Sequence, residues 1–296
     1  MTSVMLMLML QFVVSTKAGL VNYVQGSANV RATQIVPTGV PIRTGPEGFA
    51  EILLNPGSFL RLGQNSEVVL EGVELVNVSI RIVSGSAVIE ASGFTKELPL
   101  KVTSGNLRMR IIKDGIYVVE QGQVKIAEGR LQVDGKQNVY KKGWVVSETG
   151  ALKFSKVNLL DVELWSRNRS NLIAVANANI ANSIRRSPSL ASSFYNVWLW
   201  DPSFGGFTYM PGYRYRSPYG YSYRSVQETY YGGGGGSTAN SFEGGRSGSV
   251  GGSASSGGSS TGSGGGGFNA TPAAPAVMPS SPNVSEGARP AQGKQQ

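Results

Sequence analysis

Between Leu20 and Phe154 the chain alternates apolar and polar residues with a period of two, in short runs broken by turn formers. In Val76–Val83, for example, Val76, Val78, Ile80 and Ile82 alternate with Asn77, Ser79 and Arg81. That is the pattern of a strand with one dry face and one wet face. Similar runs are Leu20–Val24, Ala28–Ala32, Phe49–Leu54, Phe59–Leu62, Glu67–Leu70 and Ala87–Ala91. Beyond Lys96 the pattern resumes with Pro99–Val102, Asn106–Lys113, Ile116–Glu120, Gln123–Ala127, Arg130–Val133, Asn138–Tyr140, Trp144–Ser147 and Leu152–Phe154. Asn55-Pro56-Gly57-Ser58 reads as a tight turn, because Pro presets φ and Gly accepts positive φ. Asp114-Gly115 and Asp134-Gly135, set between alternating segments, read as hairpin turns. About a dozen short strands with such punctuation predict a mainly β fold, an antiparallel sandwich or roll.

The texture then changes. Asn158–Ile184 reads as one helix, with Leu160, Leu164, Leu172 and Val175 as its packing stripe and Trp165 beside them. Ser155 or Asn158 would cap its start, and Pro188 would stop it. Arg167 and Arg169 are expected in solvent. Residues 187–231 are rich in aromatics, with Trp198, Trp200, Phe204, Phe207 and Tyr209 around Gly205-Gly206. They are expected to form a strand-like pair or loop that packs back on the body. Residues 232–296 are dominated by Gly and Ser, then by Pro and Ala, with too little apolar surface to offset chain entropy, so a disordered tail is expected. At the other end, Val4–Val14 is apolar, short of the ~20 residues a bilayer helix needs, and is followed by Ser15-Thr16-Lys17-Ala18. This reads as a signal peptide over residues 1–18, although no Lys or Arg precedes it; the other reading is a strand packed on the core. No further segment reads as a membrane span. The resulting layout is 1–18 leader, 19–156 β-domain, 157–186 packing helix, 187–231 aromatic extension and 232–296 tail.

Composition narrows the chemistry. The chain of 296 residues contains no His and no Cys. Without His, Ser-His-Asp hydrolysis is excluded, and without Cys so are thiol nucleophiles, disulfides and Cys-type zinc sites. Neither a cofactor nor a metal is expected, and the chain reads as non-enzymatic. Paired carboxylates remain formally available. Glu67, Glu71 and Glu74 lie close together, but they read as residues of a wet strand face. The net charge of +9 is spread along the chain rather than gathered in a stripe, which disfavours nucleic acid as a partner. The poly-Gly run lacks the Gly-Lys-Ser/Thr ending of a phosphate loop.

Two stretches resemble the FecR-domain family. The first is Ile42-Arg43-Thr44-Gly45 through Ala50-Glu51-Ile52, and the second runs from Gly57-Ser58-Phe59-Leu60-Arg61-Leu62 to Asn65-Ser66-Glu67. Val83-Ser84-Gly85-Ser86-Ala87 and Val88-Ile89-Glu90 are similar to the family's next turn and strand, and Leu159–Ser170 and the Phe194–Tyr209 block look like the extension of exported, acidobacterial-type members. Val40-Pro41 stands where the family usually has Gly-Asp. Founding members carry an anti-sigma segment and a membrane span before the domain, and neither is read here. The resemblance therefore implies the extracytoplasmic β-domain rather than sigma-factor regulation.

The sharpest binding candidates are Tyr213, Arg214, Tyr215, Arg216, Tyr219, Tyr221, Tyr223 and Arg224, which alternate stacking faces with cations. The expected protein is a non-catalytic cell-envelope protein, exported to the periplasm or cell surface. Its β-domain would sense, scaffold or bind, and its tail would contact envelope proteins or cell-surface polymer. Rival readings are a periplasmic regulator in a receptor/sigma-factor system and a carboxylate-based carbohydrate-active enzyme.

Overall fold

A computed structural model describes residues 12–13, 17–154, 159–185 and 194–231. The leader apart from Phe12–Val13 and residues 17–18, the tail 232–296, and the cap candidates Ser155 and Asn158 lie outside the described residues. The strands in chain order are β1 (Phe12–Val13), β2 (Leu20–Gln25), β3 (Pro41–Arg43), β4 (Phe49–Leu53), β5 (Phe59–Leu62), β6 (Glu67–Gly72), β7 (Ser79–Ser84), β8 (Ser86–Ala91) and β9 (Leu100–Ser104). They continue with β10 (Leu107–Glu120), β11 (Gln123–Val133), β12 (Val139–Lys141), β13 (Trp144–Ser147) and β14 (Ala151–Lys153). Helix α1 (Asp161–Arg185) follows, then β15 (Val197–Asp201), β16 (Gly206–Met210), β17 (Tyr215–Arg216), β18 (Ser222–Tyr223) and the short α2 (Val226–Tyr231). The described residues all fall in one compact unit, Met1–Ser237. No described helix is long and apolar enough to cross a membrane.

Strands β2 to β14 make one curled sheet. Its main path runs β2-β4-β5-β8-β10-β9-β7-β6-β3, and β11 branches from β10 to carry β12, β13 and β14. The pairing is antiparallel except for β7 with β9, which is parallel. The curl has a dry interior because alternate residues point inward: Ala50 and Ile52, Leu60 and Leu62, Ala87 and Ile89, Tyr117 and Val119, Val124 and Ile126 all join one apolar cluster.

One expected hairpin turn and two expected strands are corrected. Asp114-Gly115 lies inside β10, where the register with β11 shifts between Lys113 and Tyr117. This is a bulge rather than a chain reversal: Gly115 faces Glu128 and Gly129, and a Cβ on it would collide with their backbone. The Tyr117 hydroxyl seals the bulge. It donates to Arg130 O at 2.9 Å and accepts from Arg130 N at 2.8 Å. The expected strand Ala28–Ala32 is a loop with a single bridge from Ala28 to Thr44. In Val76–Val83 only Val78, Ile80 and Ile82 are buried, while Val76 is 73% exposed because β7 starts three residues later.

The helix forms as expected, but its faces are reversed. Leu164, Leu172 and Val175 are exposed, whereas Ser166, Arg169, Ser170, Ile173, Asn177 and Ile180 are buried. Its start is capped by Glu163, whose carboxylate accepts from Leu160 N at 3.0 Å, half of a capping box. Arg169, expected in solvent, is 5% exposed. The Phe194–Met210 block does pack back on the body. Strands β15 and β16 form a hairpin, with β1 on the far edge of β15.

Candidate functional site

The polar side of α1 is explained by what lies beneath it. Strands β4, β5 and β8 are buried on both faces. Their second face carries Phe49, Glu51 and Leu53, then Phe59 and Arg61, then Val88 and Glu90. Register fixes the order: Tyr23, Glu51, Arg61, Val88, Val118 and Lys125 stand opposite one another across six successive strands. Helix α1 runs along this row. Glu163 meets Lys125 at 2.6 Å, Ser166 and Ser170 meet Arg61, and Arg169 meets Glu51 at 2.8 Å. Residues at spacings of three and four face the same way on a helix, so one stripe of α1 reads one row of the sheet.

Arg61 is the hub. Its Nε donates to Glu51 Oε2 at 2.7 Å and its Nη1 to Glu90 Oε2 at 2.6 Å; both side chains of each pair are fully buried. Nη1 also donates to Ser166 Oγ at 3.0 Å, and Nη2 to Ser170 Oγ at 3.3 Å. Ser170 Oγ also donates to Glu90 Oε2. Arg169 is held between the Tyr23 and Phe204 rings, 4.0 and 4.7 Å from their centroids. Two carboxylates thus face two guanidiniums, and the cluster is neutral as a whole.

The two carboxylates titrate in opposite directions. Burial pushes the Glu51 carboxyl up, but Arg169 and Arg61 together outweigh it and hold the group below its ordinary range. Burial also pushes Glu90 up, and there the pull of Arg61 and Ser170 does not cancel it. Glu90 has one principal cation where Glu51 has two, and its Oε1 has no hydrogen-bond partner. Burial lowers the Arg61 guanidinium, but the two carboxylates reverse this and leave it raised.

Asn22 couples this cluster to the hairpin. Its amide donates to Glu51 Oε1 at 2.8 Å and to Phe207 O at 3.1 Å, while its Oδ1 accepts from Phe207 N at 2.6 Å. One side chain therefore gives β16 both hydrogen bonds that a neighbouring strand would supply.

The predicted Tyr/Arg residues fall on two sides of the chain. Tyr215 and Tyr223, on β17 and β18, turn inward and meet edge to face at 5.2 Å, joining Tyr209, Trp198 and Phe59. Tyr219 reaches the cluster itself, donating to Ser166 Oγ at 2.9 Å, and burial pushes its hydroxyl up to about 12. Tyr221 is partly buried on the same aromatic cluster. Tyr213, Arg214, Arg216 and Arg224 are exposed. The segment is therefore half clasp and half surface. Glu67, Glu71 and Glu74 pair with Arg43, Arg81 and Lys17 at 2.9, 2.6 and 2.9 Å, as residues of a wet face do. Among the described residues no group of acidic side chains is placed to hold a metal ion.

Sequence reading missed the buried cluster, although a signal was present. Phe49-Ala50-Glu51-Ile52-Leu53 and Phe59-Leu60-Arg61-Leu62 are apolar at every position but one. Such runs are buried on both faces, so a lone charge in each demands a partner.

Residues 41–132 match the family model described as FecR protein. The chain carries a FecR domain. Glu51, Arg61 and Glu90 lie within the matched span, while Arg169 comes from the extension beyond it. No curated protein gives a match. Two crystal structures of a protein described as a "putative anti-sigma factor" from Parabacteroides distasonis ATCC 8503 are similar at 14% and 13% identity. Each comparison covers 43% of this chain and 63% of that one, with a TM-score of 0.34. The chain thus spans less than two thirds of that protein's length.

Proposed function

We propose that this chain is a non-catalytic envelope protein in which the FecR domain is a binding module, stiffened by the helix and hairpin. The observation that carries this reading is the closure of the charged cluster. Glu51, Arg61 and Glu90 are fully buried and Arg169 nearly so, and their bonds run mainly to one another and to α1. Acid–base chemistry on a substrate needs reach to it, and this cluster offers none. What remains for recognition is the surface, including Tyr213, Arg214, Arg216 and Arg224. These residues suit contact with envelope proteins or an anionic cell-surface polymer. Export is supported by the composition of residues 4–18. A regulatory role in receptor-linked signalling is the second reading, favoured by the family match.

Fractionation of bacteria producing the full chain tests the proposal. Recovery with the periplasm or outer envelope, with a new N-terminus near Gly19, is expected. An intact Met1 in the cytoplasmic fraction would overturn export. Replacing Arg214, Arg216 and Arg224 together by Ala should cut retention on envelope extract at least severalfold; unchanged retention removes the extension from the binding surface.

A further inference from the structure

The direction in which the backbone of β15 points follows from two asparagines. Phe207 N and O bond to the Asn22 side chain, and Tyr209 O accepts from Asn177 Nδ2 at 2.9 Å. The backbone groups of Phe207 and Tyr209 therefore point away from β15. In an antiparallel ladder the residues opposite such positions point away in their turn. Those residues are Trp200 and Trp198. Their N–H and C=O groups thus face the side of β15 that β16 does not cover. On that side β1 runs antiparallel, with Val13 opposite Trp198 and Phe12 opposite Leu199.

The β15 edge lacks the devices that commonly guard a strand edge. Val197–Asp201 contains no Lys, Arg or Pro, and its register with β16 runs without a shift. Asp201 turns its carboxylate to Ser203. Elsewhere β3 opens on Pro41, β12 and β14 end on Lys141 and Lys153, and β2 is bridged to Ile35. Strand β15 also has apolar clusters on both faces. Val197 and Leu199 join Ile180 and Ile184 of α1 on one side, and Trp198 joins Phe59 and Tyr209 on the other. A strand added here lies along both clusters, so it has to be apolar at successive positions rather than alternate ones. Phe12-Val13-Val14 has that composition.

We infer that the β15 edge is a strand-addition site for an extended, uncharged apolar segment of another polypeptide, and that Phe12–Val13 fills it until the leader is removed. Main-chain bonds to Trp198 and Trp200 supply the attachment, and the two apolar clusters select the side chains. The inference rests on the export reading for the event that vacates the edge, because cleavage after Ala18 takes β1 away. The test opens the edge by substitution instead of cleavage, so its failure and the failure of export are read separately.

Full chain made by cell-free synthesis, which keeps residues 1–18, is compared with its Val13→Pro variant. Proline lacks the N–H that pairs with Trp198. A fluorescent peptide of residues 10–17 is titrated into each and followed by anisotropy. The variant should bind it at least about tenfold more tightly than the parent, whose own tethered strand competes. The substitution lies in the leader, so both chains should give the same circular dichroism spectrum. Two further peptides separate strand pairing from nonspecific apolar adhesion. Methylation of Val13 N removes a bond to Trp198 and should weaken binding to the variant about tenfold. Methylation of Phe12 N, which faces away from β15, should leave binding near that of the unmodified peptide. Equal binding to parent and variant, no binding to the variant, or an equal loss with the two methylated peptides each overturns the inference. So does a variant that dimerises and thereby excludes the peptide, which gives the edge to a second copy.

Discussion

At the scale of single residues, Glu51 and Glu90 are the same side chain put to opposite use. Glu51 titrates below its ordinary range, so its contribution to stability is present above the unfolded carboxyl pKa and is lost as pH falls through the depressed value. Glu90 titrates above its ordinary range. Its contribution is complete below the unfolded pKa and is lost as pH rises through the raised one. Denaturant titrations of Glu51→Gln and Glu90→Gln should therefore diverge with pH. The cost of Glu51→Gln should be largest near neutrality and shrink in mild acid. The cost of Glu90→Gln should shrink as pH rises from mild acid to neutrality. Parallel curves would show that the two carboxylates share one environment. Breaking one partner of a buried pair generally costs about 3–5 kcal/mol, because the other charge is stranded.

At the scale of elements, the decisive fact is that α1 docks by a polar stripe. A search for apolar periodicity selects Leu164, Leu172 and Val175, which face water. It passes over Ser166, Arg169, Ser170 and Asn177, which face the sheet. The helix itself was legible from its end signals and from the loss of strand texture. Its orientation was not, because that depends on partners more than a hundred residues earlier, as Ser166 and Arg61 show. The strands were legible for the opposite reason: each carries its own period-two pattern. The failures at Asp114-Gly115 and Val76 came where a bulge or a late strand start broke local rules. Asn22 offers the test at this scale. Asn22→Ala leaves Phe207 N and O without their partners, and a buried unsatisfied group costs about 1–3 kcal/mol. Amide hydrogen exchange at Phe207 should speed up roughly in proportion, with the amides of β10 and β11 unchanged. Exchange at Phe207 as slow as in the parent chain would remove Asn22 from the role of strand substitute.

At the scale of the molecule, the matched span 41–132 ends well before the residues that finish its fold. The outer face of β4, β5 and β8 is completed by α1, the hairpin and Tyr219, so these parts should melt together. Of the four tryptophans, Trp165, Trp198 and Trp200 belong to the helix and hairpin and Trp144 to the sheet. In a Trp144→Phe chain, fluorescence reports the helix and hairpin, while far-ultraviolet circular dichroism reports mainly the strands. Coincident urea transitions are expected; a fluorescence change at distinctly lower urea would mean that the cover comes away first.

The two interiors of this protein also answer differently to heat. The apolar inside of the curl draws on hydration entropy, a source that weakens on cooling and levels off on warming. The layer beneath α1 is set by the expense of stripping water from charges, which falls as temperature rises. Warming therefore favours the ionic layer relative to the hydrocarbon one, and chilling does the reverse. In the cold, both the Glu51–Arg61–Glu90–Arg169 layer and the inside of the curl lose ground, so the margin of the whole fold narrows at low temperature.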